Sequence, residues 1–237
     1  MNPTGAAPSL TLAPQNTERR ALRIELGCFA LLLALFNLPL VFGGYAAAWF
    51  RFHPELVRAG EWWRVLTHPL AHVSGYHFVL DAAAFLLAYT ELNDRRRGER
   101  LGLVAAAGAG SLLVAWGFSP VVLTGGLCGL SGIAHGLSAV VGFEMLRKQD
   151  DLWLRGAGLL CFAAVVGKSV LEAVAGQVMF ASWHFGSLGT PVAVSHAGGV
   201  LGALVALLLL NAGRTAAIDS KCQLIARQSL VTAKLGA

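Results

Sequence analysis

Charged side chains are scarce in this sequence of 237 residues, of which 13% are Asp, Glu, Lys or Arg. Soluble domains average about 25%. Three long stretches contain none of these four residue types: Leu26 to Phe50, Leu101 to Phe143 and Ala173 to Gly213. A helix needs about 20 mainly apolar residues to cross the hydrocarbon core of a bilayer. The missing charges therefore argue against a soluble globular protein and predict several membrane-spanning helices.

Cysteine is also sparse, with four residues whose positions show no spacing typical of a metal site. Three of them lie in or next to apolar stretches, where cysteine usually packs as a small apolar residue. The chain also lacks an internal repeat of the kind found in many secondary transporters. These absences give no reason to predict a metal ion, a cofactor or a transport function.

What the sequence does contain is a series of apolar stretches, and these predict an all-α, polytopic membrane protein with six transmembrane helices. One membrane domain is expected over residues 24–212. It is preceded by a disordered tail at 1–23, rich in Pro, Thr, Asn and Ala, and followed by a polar tail at 213–237. The predicted spans are 24–43, 73–92, 101–118, 127–146, 154–175 and 191–211.

The Lys and Arg residues set the predicted orientation, because positively charged loops stay in the cytoplasm. Four basic clusters fall on one side if the chain crosses the membrane six times, which places both termini in the cytoplasm. The net charge of +5 is then explained by topology and gives no reason to predict nucleic-acid binding. The clusters are Arg19, Arg20 and Arg23; Arg95, Arg96, Arg97 and Arg100; Arg147 and Lys148; and Arg214, Lys221 and Arg227.

A serine and a histidine occur at matching depths in two predicted spans. Ser131 lies in the string Gly129-Leu-Ser-Gly132 at the outer end of the fourth span, and His196 lies just below the outer end of the sixth. Small residues crowd both spans, so we expect these two helices to pack together. A Gly-x-Ser-Gly string alone is also typical of such packing. Because serine becomes a nucleophile when a base stands beside it, the shared depth predicts a catalytic pair.

A second polar group begins the second span, where His77 and Asp81 are spaced i, i+4 and share one helix face. They would stabilise an oxyanion if Asp81 is protonated, since burial in a low dielectric favours the neutral form of a carboxyl group. Two alternatives stay open. One is a metal site with His72, His77 and Asp81 as ligands, and the other is a hydrogen bond that only orders the start of the helix.

Lys168 and Glu172 form a further i, i+4 pair within the fifth span. Pairing within one helix lowers the cost of both charges, so we interpret this pair as structural. His135 lies one turn after Ser131 and is a rival base. Two groups one turn apart on a single helix leave little room for a substrate carbonyl between them, which favours His196 as the base.

The joint order of these motifs resembles the rhomboid intramembrane serine proteases. The shared features are six spans, a Gly-x-Ser-Gly string entering the fourth, a His-x-x-Gly string from His196 to Gly199 in the sixth, and a His-x4-His string from His72 to His77 leading the second. The resemblance covers most of residues 45–205. It implies a six-helix rhomboid-like bundle with proteolytic activity.

The resemblance also implies a role for each matching residue. Ser131 would be the nucleophile and His196 the base of a dyad without a third acid. His77 and the amide of Ser131 would stabilise the oxyanion, and Gly129 would shape the loop beneath it. The motif residues that support this arrangement are His72, Gly132 and Gly199.

Two positions depart from the usual rhomboid pattern. Rhomboids usually have Asn where this chain has Asp81, and often have Tyr, stacking on the base, where it has His135. The string Gly-Leu-Ser-Gly-Ile-Ala-His135 together with Asp81 resembles the rhombosortase branch. These bacterial relatives are implied to process proteins that end in Gly-Gly, a transmembrane helix and a basic tail. The expected substrate is then a secreted protein that is released from its C-terminal anchor.

We therefore expect an intramembrane serine endopeptidase in the inner membrane of a bacterium, with its site open to the periplasmic side. It would need no cofactor or metal, and it would act on a transmembrane protein within the lipid bilayer. The alternative is a non-catalytic rhomboid-fold protein that binds membrane proteins, which the unusual Asp81 keeps open. Only the enzyme requires the Ser131 hydroxyl and the His196 imidazole to share a pocket that water can enter.

Overall fold

The structure, a computed structural model, describes residues 12–44, 47–148, 150–179 and 185–235. Within these residues the chain is helical, and its one β contact is an isolated antiparallel bridge between Phe52 and Leu127. The expected all-α fold class is thus confirmed for the described residues. The long helices are α1 Leu12–Val41, α2 Gly75–Thr90, α3 Arg97–Phe118, α4 Ser131–Leu146, α5 Leu152–Ala175 and α6 Val194–Leu235.

Each predicted span coincides with one of these helices, but not all of them are long enough to cross a bilayer. By length and composition, α1, α3, α5 and α6 qualify among the described helices. The count reaches five if Arg64–Leu70 and Gly75–Thr90, which meet at a bend of 94°, form one broken span. Helix α4 is apolar but has 16 residues. The chain is therefore a multi-spanning membrane protein, and six crossings remain a prediction.

Several helix boundaries differ from the predicted ones. Helix α1 begins at Leu12, inside the segment predicted to be a disordered tail, because extending an existing helix is far easier than starting one. Helix α4 begins at Ser131 rather than at residue 127, because Gly129 has a φ of +102°, which a right-handed helix does not contain. Helix α6 continues through the polar C-terminal segment as far as Leu235. Residues 1–11 of the predicted N-terminal tail lie outside the described residues.

Short helices and a folded loop connect α1 to α2. The guanidinium of Arg64, which is 4% exposed, holds this loop together. It donates to the Glu61 carboxylate at 2.6 Å and to the backbone carbonyls of Ala48 and Arg51 at 3.1 and 2.9 Å. The short helices are Ala47–Phe50, Pro54–Arg58, Arg64–Thr67 and a single 3-10 turn at His68–Leu70, and a further one, Pro120–Gly125, precedes α4.

Glycine residues let α6 approach both α3 and α4 closely. A Cβ atom added to Gly110 of α3 would lie 2.9 Å from the Cα atom of Gly202, and one added to Gly136 of α4 would lie 3.0 Å from the carbonyl carbon of Gly199. Lipid tails are as apolar as side chains, so close packing of small residues drives helix association in a bilayer. The prediction that the fourth and sixth spans lie against each other is confirmed.

The interior of the bundle lies where α2, α3, α4 and α6 meet. Leu103, Leu137 and Leu207, one each from α3, α4 and α6, are buried there. Helices α1 and α5 instead expose large apolar side chains such as Leu31 and Leu160. Extensive exposed apolar surface of this kind suits contact with lipid. Helix α4 is thus a central helix, and α1 and α5 lie at the periphery.

A charged cluster is buried between α1, α2 and α3, away from the start of α4. Arg100 of α3 is fully buried and donates from Nε and Nη2 to the Glu25 carboxylate of α1, at 2.8 and 3.0 Å. Tyr89 of α2 donates its hydroxyl to the same carboxylate at 2.6 Å. Buried ion pairs need such additional hydrogen bonds to offset the cost of leaving water. The cluster therefore ties three helices together at one end of the bundle.

Candidate active site

A cavity of about 480 Å³ lies between the starts of α2, α4 and α6 and the second half of α5. Predicted site residues from three helices line it, and Lys168 of α5 lines it as well. Its walls are therefore polar on several sides although they stand inside an apolar bundle. The lining residues that the sequence predicted are His77, Asp81, Ser131, His135 and His196, whereas His72, Gly129, Gly132 and Gly199 lie outside the lining and pack behind it.

The segment before α4 is held by backbone hydrogen bonds to the loop after α1. Phe52 and Leu127 exchange two bonds of 2.9 Å, one in each direction. The N–H of Gly129 donates to the carbonyl of His68 at 3.0 Å. These contacts fix the backbone immediately ahead of Ser131, which is the first residue of α4.

Position 129 requires glycine for two reasons. Its φ of +102° is rarely adopted by residues with a side chain. In addition, a Cβ atom there would lie 2.9 Å from both Asp81 Oδ2 and His77 Cε1. Gly129 therefore lets the loop lie directly against α2. The N–H of Ser131 follows in the first turn of α4, where backbone donors have no partner within the helix, so this amide and His77 lie on neighbouring elements.

Glycines also allow the starts of α4 and α6 to lie in close contact. A Cβ atom added to Gly199 would overlap the carbonyl oxygen of Gly132 and would lie 2.5 Å from its carbonyl carbon. This close approach brings Ser131 and His196 to the same cavity. Among the contacts of the described residues, none is a direct hydrogen bond between these two side chains. Catalytic hydrogen bonds are often long in a site without substrate and tighten when substrate binds.

The imidazole of His196 is hydrogen-bonded to a buried acid. Its Nδ1 lies 2.6 Å from Oε2 of Glu172. A carboxylate only accepts, so Nδ1 carries a proton, and in the neutral imidazole Nε2 then keeps its lone pair. The other oxygen of Glu172 accepts from the Lys168 ammonium at 2.7 Å and from the Met179 N–H at 2.8 Å. The structure thus places an acid beside the expected dyad of Ser131 and His196, and the Lys168–Glu172 pair, interpreted from the sequence as structural, also contacts His196.

The ring of His135 stacks on the ring of His196, with centroids 4.0 Å apart and planes 8° from parallel. Its Nδ1 donates to the carbonyl of Ser131 at 2.7 Å, and its Nε2 lies 3.0 Å from the ammonium of Lys168, from which it accepts. Both ring nitrogens are therefore occupied. This arrangement favours His196 over His135 as the base, and it gives His135 the stacking position that rhomboids often fill with Tyr.

Asp81 stands between two histidines. Its Oδ2 lies 3.2 Å from Nε2 of His77 and 3.4 Å from Nε2 of His72. The side chain of Asn37 in α1 fixes His72, because its Oδ1 accepts from the His72 backbone N–H at 2.9 Å and faces Nδ1 at 3.1 Å. His72 must therefore donate from Nδ1, which leaves Nε2 facing Asp81. Two lone pairs would repel at this distance, so the pair is stable only with a proton on one of the two facing atoms.

One group of side chains places three potential metal ligands close together. Ligand atoms of His135, Glu172 and His196 lie within 4.8 Å of one another. The lone pairs of the two stacked rings lie in nearly parallel planes and therefore do not converge on a common point, and the Lys168 ammonium already occupies Nε2 of His135. This geometry fits a proton network better than a metal ion. The metal site considered at the start of α2 is not among such groups in the described part of the chain.

Two polar residues of the site escaped the sequence analysis. Glu172 was recognised only as the partner of Lys168, although it lies near the end of α5, at the same end of the bundle as the start of α6. The depth of Glu172 in the bundle was therefore a signal that it could lie at the site. Asn37 is the one strongly polar side chain in the uncharged stretch from Leu26 to Phe50, and a buried amide in such a stretch also indicates a partner.

Comparison with known proteins gives one family match. The family model described as the Rhomboid domain matches residues 59–214, more than half of the chain, and this range includes α2, α4, α5 and the first half of α6, which together line the cavity. The search of curated proteins found no match, and the search of solved structures found none.

Proposed function

Because this chain belongs to the rhomboid family, whose members are generally serine intramembrane proteases, we propose that it is an intramembrane serine endopeptidase. Ser131 is the nucleophile and His196 is the base. The observation that carries the proposal is that both residues line one cavity, at the starts of two helices that pack together through Gly132 and Gly199.

The reaction is amide hydrolysis by acyl transfer. Nε2 of His196 takes the hydroxyl proton of Ser131 while Oγ bonds to the scissile carbonyl carbon. The carbon–nitrogen bond then breaks as His196 gives this proton to the leaving amine. Water that enters the cavity hydrolyses the acyl-enzyme with the same imidazole as base. The proton on Nδ1, directed at a carboxylate, leaves Nε2 free for each transfer.

The negative charge that develops on the carbonyl oxygen needs preorganised donors. We assign this role to His77 and to the N–H of Ser131. Nδ1 of His77 is buried and has no hydrogen-bond partner among the described residues. It carries the ring proton and can donate when Nε2, which lies 3.2 Å from Asp81 Oδ2, faces a protonated carboxyl group. Loss of one such donor typically lowers the rate by about 10² to 10³.

The proposed substrate is a membrane-anchored secreted protein with a C-terminal Gly-Gly, a transmembrane helix and a basic tail. The string from Gly129 to His135 together with Asp81 supports this assignment to the rhombosortase branch. We propose that the protein lies in a bacterial inner membrane with both termini in the cytoplasm and its cavity open to the periplasmic side. The basic clusters support this orientation, since Arg95 and Arg100 lie at the opposite end of the bundle from the start of α4.

Covalent labelling of the full-length protein in detergent tests the catalytic proposal. A fluorophosphonate probe should label Ser131, and His196→Ala should slow the labelling by about 10² to 10⁴. Ser138→Ala, which removes another hydroxyl from α4, is the matched control and should label like the wild type. A wild-type protein without label on Ser131 would contradict the proposal and leave a non-catalytic rhomboid-fold protein.

The substrate is tested by co-expression with a candidate protein that carries the Gly-Gly-tailed anchor. The wild type should release a shortened, soluble product, and Ser131→Ala should leave the candidate intact. Equal masses of the candidate in both strains would contradict the assigned branch. The labelling result would then still decide whether the chain is a serine hydrolase.

A further inference from the structure

Glu172 is the fully buried acid of the site, and all of its polar contacts point toward the proposed base or toward groups that orient it. Its side chain has no exposure. An ionised carboxylate in such surroundings is very costly unless it is paired and hydrogen-bonded. Here one oxygen is bonded to His196, and the other accepts from Lys168 and the Met179 N–H. The chain therefore maintains a charge at this position with three separate donors.

These contacts form a chain of hydrogen bonds beside the cavity, from the Ser131 carbonyl to His196. The carbonyl of Ser131 accepts from His135, and His135 accepts from Lys168. Lys168 also donates to Glu172, and Glu172 accepts from His196. His135 and His196 are in turn stacked face to face. The plane of the His196 ring is thus set by stacking and its rotation by the carboxylate.

We infer that Glu172 is a positioning residue for His196, so that the site works as a Ser131–His196–Glu172 triad in place of the dyad implied by the family resemblance. This inference rests on the proposed function. Glu172 keeps the proton of the neutral imidazole on Nδ1 and leaves Nε2 as the acceptor that Ser131 needs. When His196 takes the second proton, the carboxylate faces the new positive charge at 2.6 Å.

The contacts of Glu172 predict how the side-chain amide of Glu172→Gln would be oriented. The Lys168 ammonium and the Met179 N–H both donate to Oε1, so the carbonyl oxygen of Glu172→Gln would face these two donors. Its NH₂ group would then face Nδ1 of His196 and donate to it. The imidazole would be held with its proton on Nε2, where it cannot accept the proton of Ser131. In a chymotrypsin-type protease the corresponding change lowers kcat by about 10⁴.

The experiment measures the rate of fluorophosphonate labelling of Ser131 in the full-length protein, together with kcat and KM for a cleaved substrate. Glu172→Gln should lower the labelling rate and kcat by about 10² to 10⁴ with KM unchanged. Glu172→Asp keeps the charge and should restore part of the activity. Glu144→Gln, which removes a carboxylate bonded to Arg95 in the last turn of α4, is the matched control and should behave like the wild type.

A measurement on the wild type covers the case in which Glu172→Gln fails to fold. The proton between Nδ1 of His196 and Glu172 should give a strongly deshielded proton resonance that is missing from His196→Ala. Absence of this resonance from the wild type, or wild-type labelling rates in folded Glu172→Gln, would overturn the inference while the protease assignment stands. Failure of the wild type to label at Ser131 would instead remove the proposed function itself.

Discussion

Replacing Gly199 with alanine tests whether the contact between α4 and α6 sets the geometry of the site. The added Cβ atom would lie 2.5 Å from the carbonyl carbon of Gly132, whereas real Cβ atoms essentially never come within 3.0 Å of another heavy atom. The carbonyl oxygen of Gly132 would lie closer still, so the two backbones must separate by about 1 Å, and both are rigid helical segments. Overpacking of this kind costs about 1 to 3 kcal/mol. Because misplacement by 1 Å lowers rates by about 10², we expect Gly199→Ala to label at Ser131 about 10²-fold more slowly.

The assay compares the unfolding midpoint in detergent and the rate of fluorophosphonate labelling for Gly199→Ala and Gly213→Ala. Gly213 lies on the same helix, and a Cβ atom there would meet nothing within 4 Å. Alanine is about 1 kcal/mol better than glycine in a helix, so this control should be as stable as the wild type or slightly more so. A Gly199→Ala protein with wild-type stability and labelling rate would refute the packing argument.

Three further changes have defined outcomes. Arg100→Met leaves the buried Glu25 carboxylate with Tyr89 and the longer, 3.4 Å contact to Arg97, and should lower the free energy of unfolding by about 3 kcal/mol, the lower end of the range for a broken buried pair; an unchanged denaturation curve would contradict the buried cluster. Asn37→Ala removes the acceptor of His72 and should cost about 1 to 3 kcal/mol while also slowing the labelling of Ser131, and normal labelling would show that α1 does not support the site. His135→Tyr keeps an aromatic ring on His196 and should retain activity within about tenfold, since such stacking contributes about 0.5 to 1.5 kcal/mol. His135→Ala should lose more activity than His135→Tyr. Faster cleavage by His135→Ala than by His135→Tyr would refute the stacking role.

The position of the helices could be predicted because their signal is local. Long stretches without charge mark α1, α3 and α6, and glycine spacing indicates that α4 and α6 pack closely. The start of α4 was placed too early because the apolar pattern continues through Gly129, whose positive φ ends any helix there. Hydropathy does not report backbone angles. The start of α1 was placed too late because a helix that begins in lipid continues into polar sequence.

The candidate site could be predicted only where its residues carry recognised motifs. Ser131 and His196 were found because both lie at one depth and within glycine-containing strings. The contact of Glu172 with His196 depends on how α5 and α6 face each other across a loop, and the i, i+4 spacing to Lys168 offered a complete local explanation for the acid. Contacts between different helices are the features that are hardest to predict from a single sequence.

The residues around Asp81 show how an aspartate here differs from the asparagine that is usual in rhomboids. An asparagine at this position, usual in rhomboids, donates without gaining or losing a proton, whereas an aspartate must be protonated to do so. His72 is held with its Nδ1 toward Asn37, so a proton is required between His72 and Asp81. The departure from the family pattern thus makes the donor function of this position depend on a proton.

The ion pair between Glu25 and Arg100 joins helices that leave the ribosome at different times. The two residues are 75 positions apart in the chain, and Glu25 lies in an apolar helix long enough to span the bilayer. Glu25 directly precedes the uncharged stretch from Leu26 to Phe50, and its carboxylate is costly to bury until it is paired. We therefore expect the first helix to complete its packing only after the third helix has been inserted.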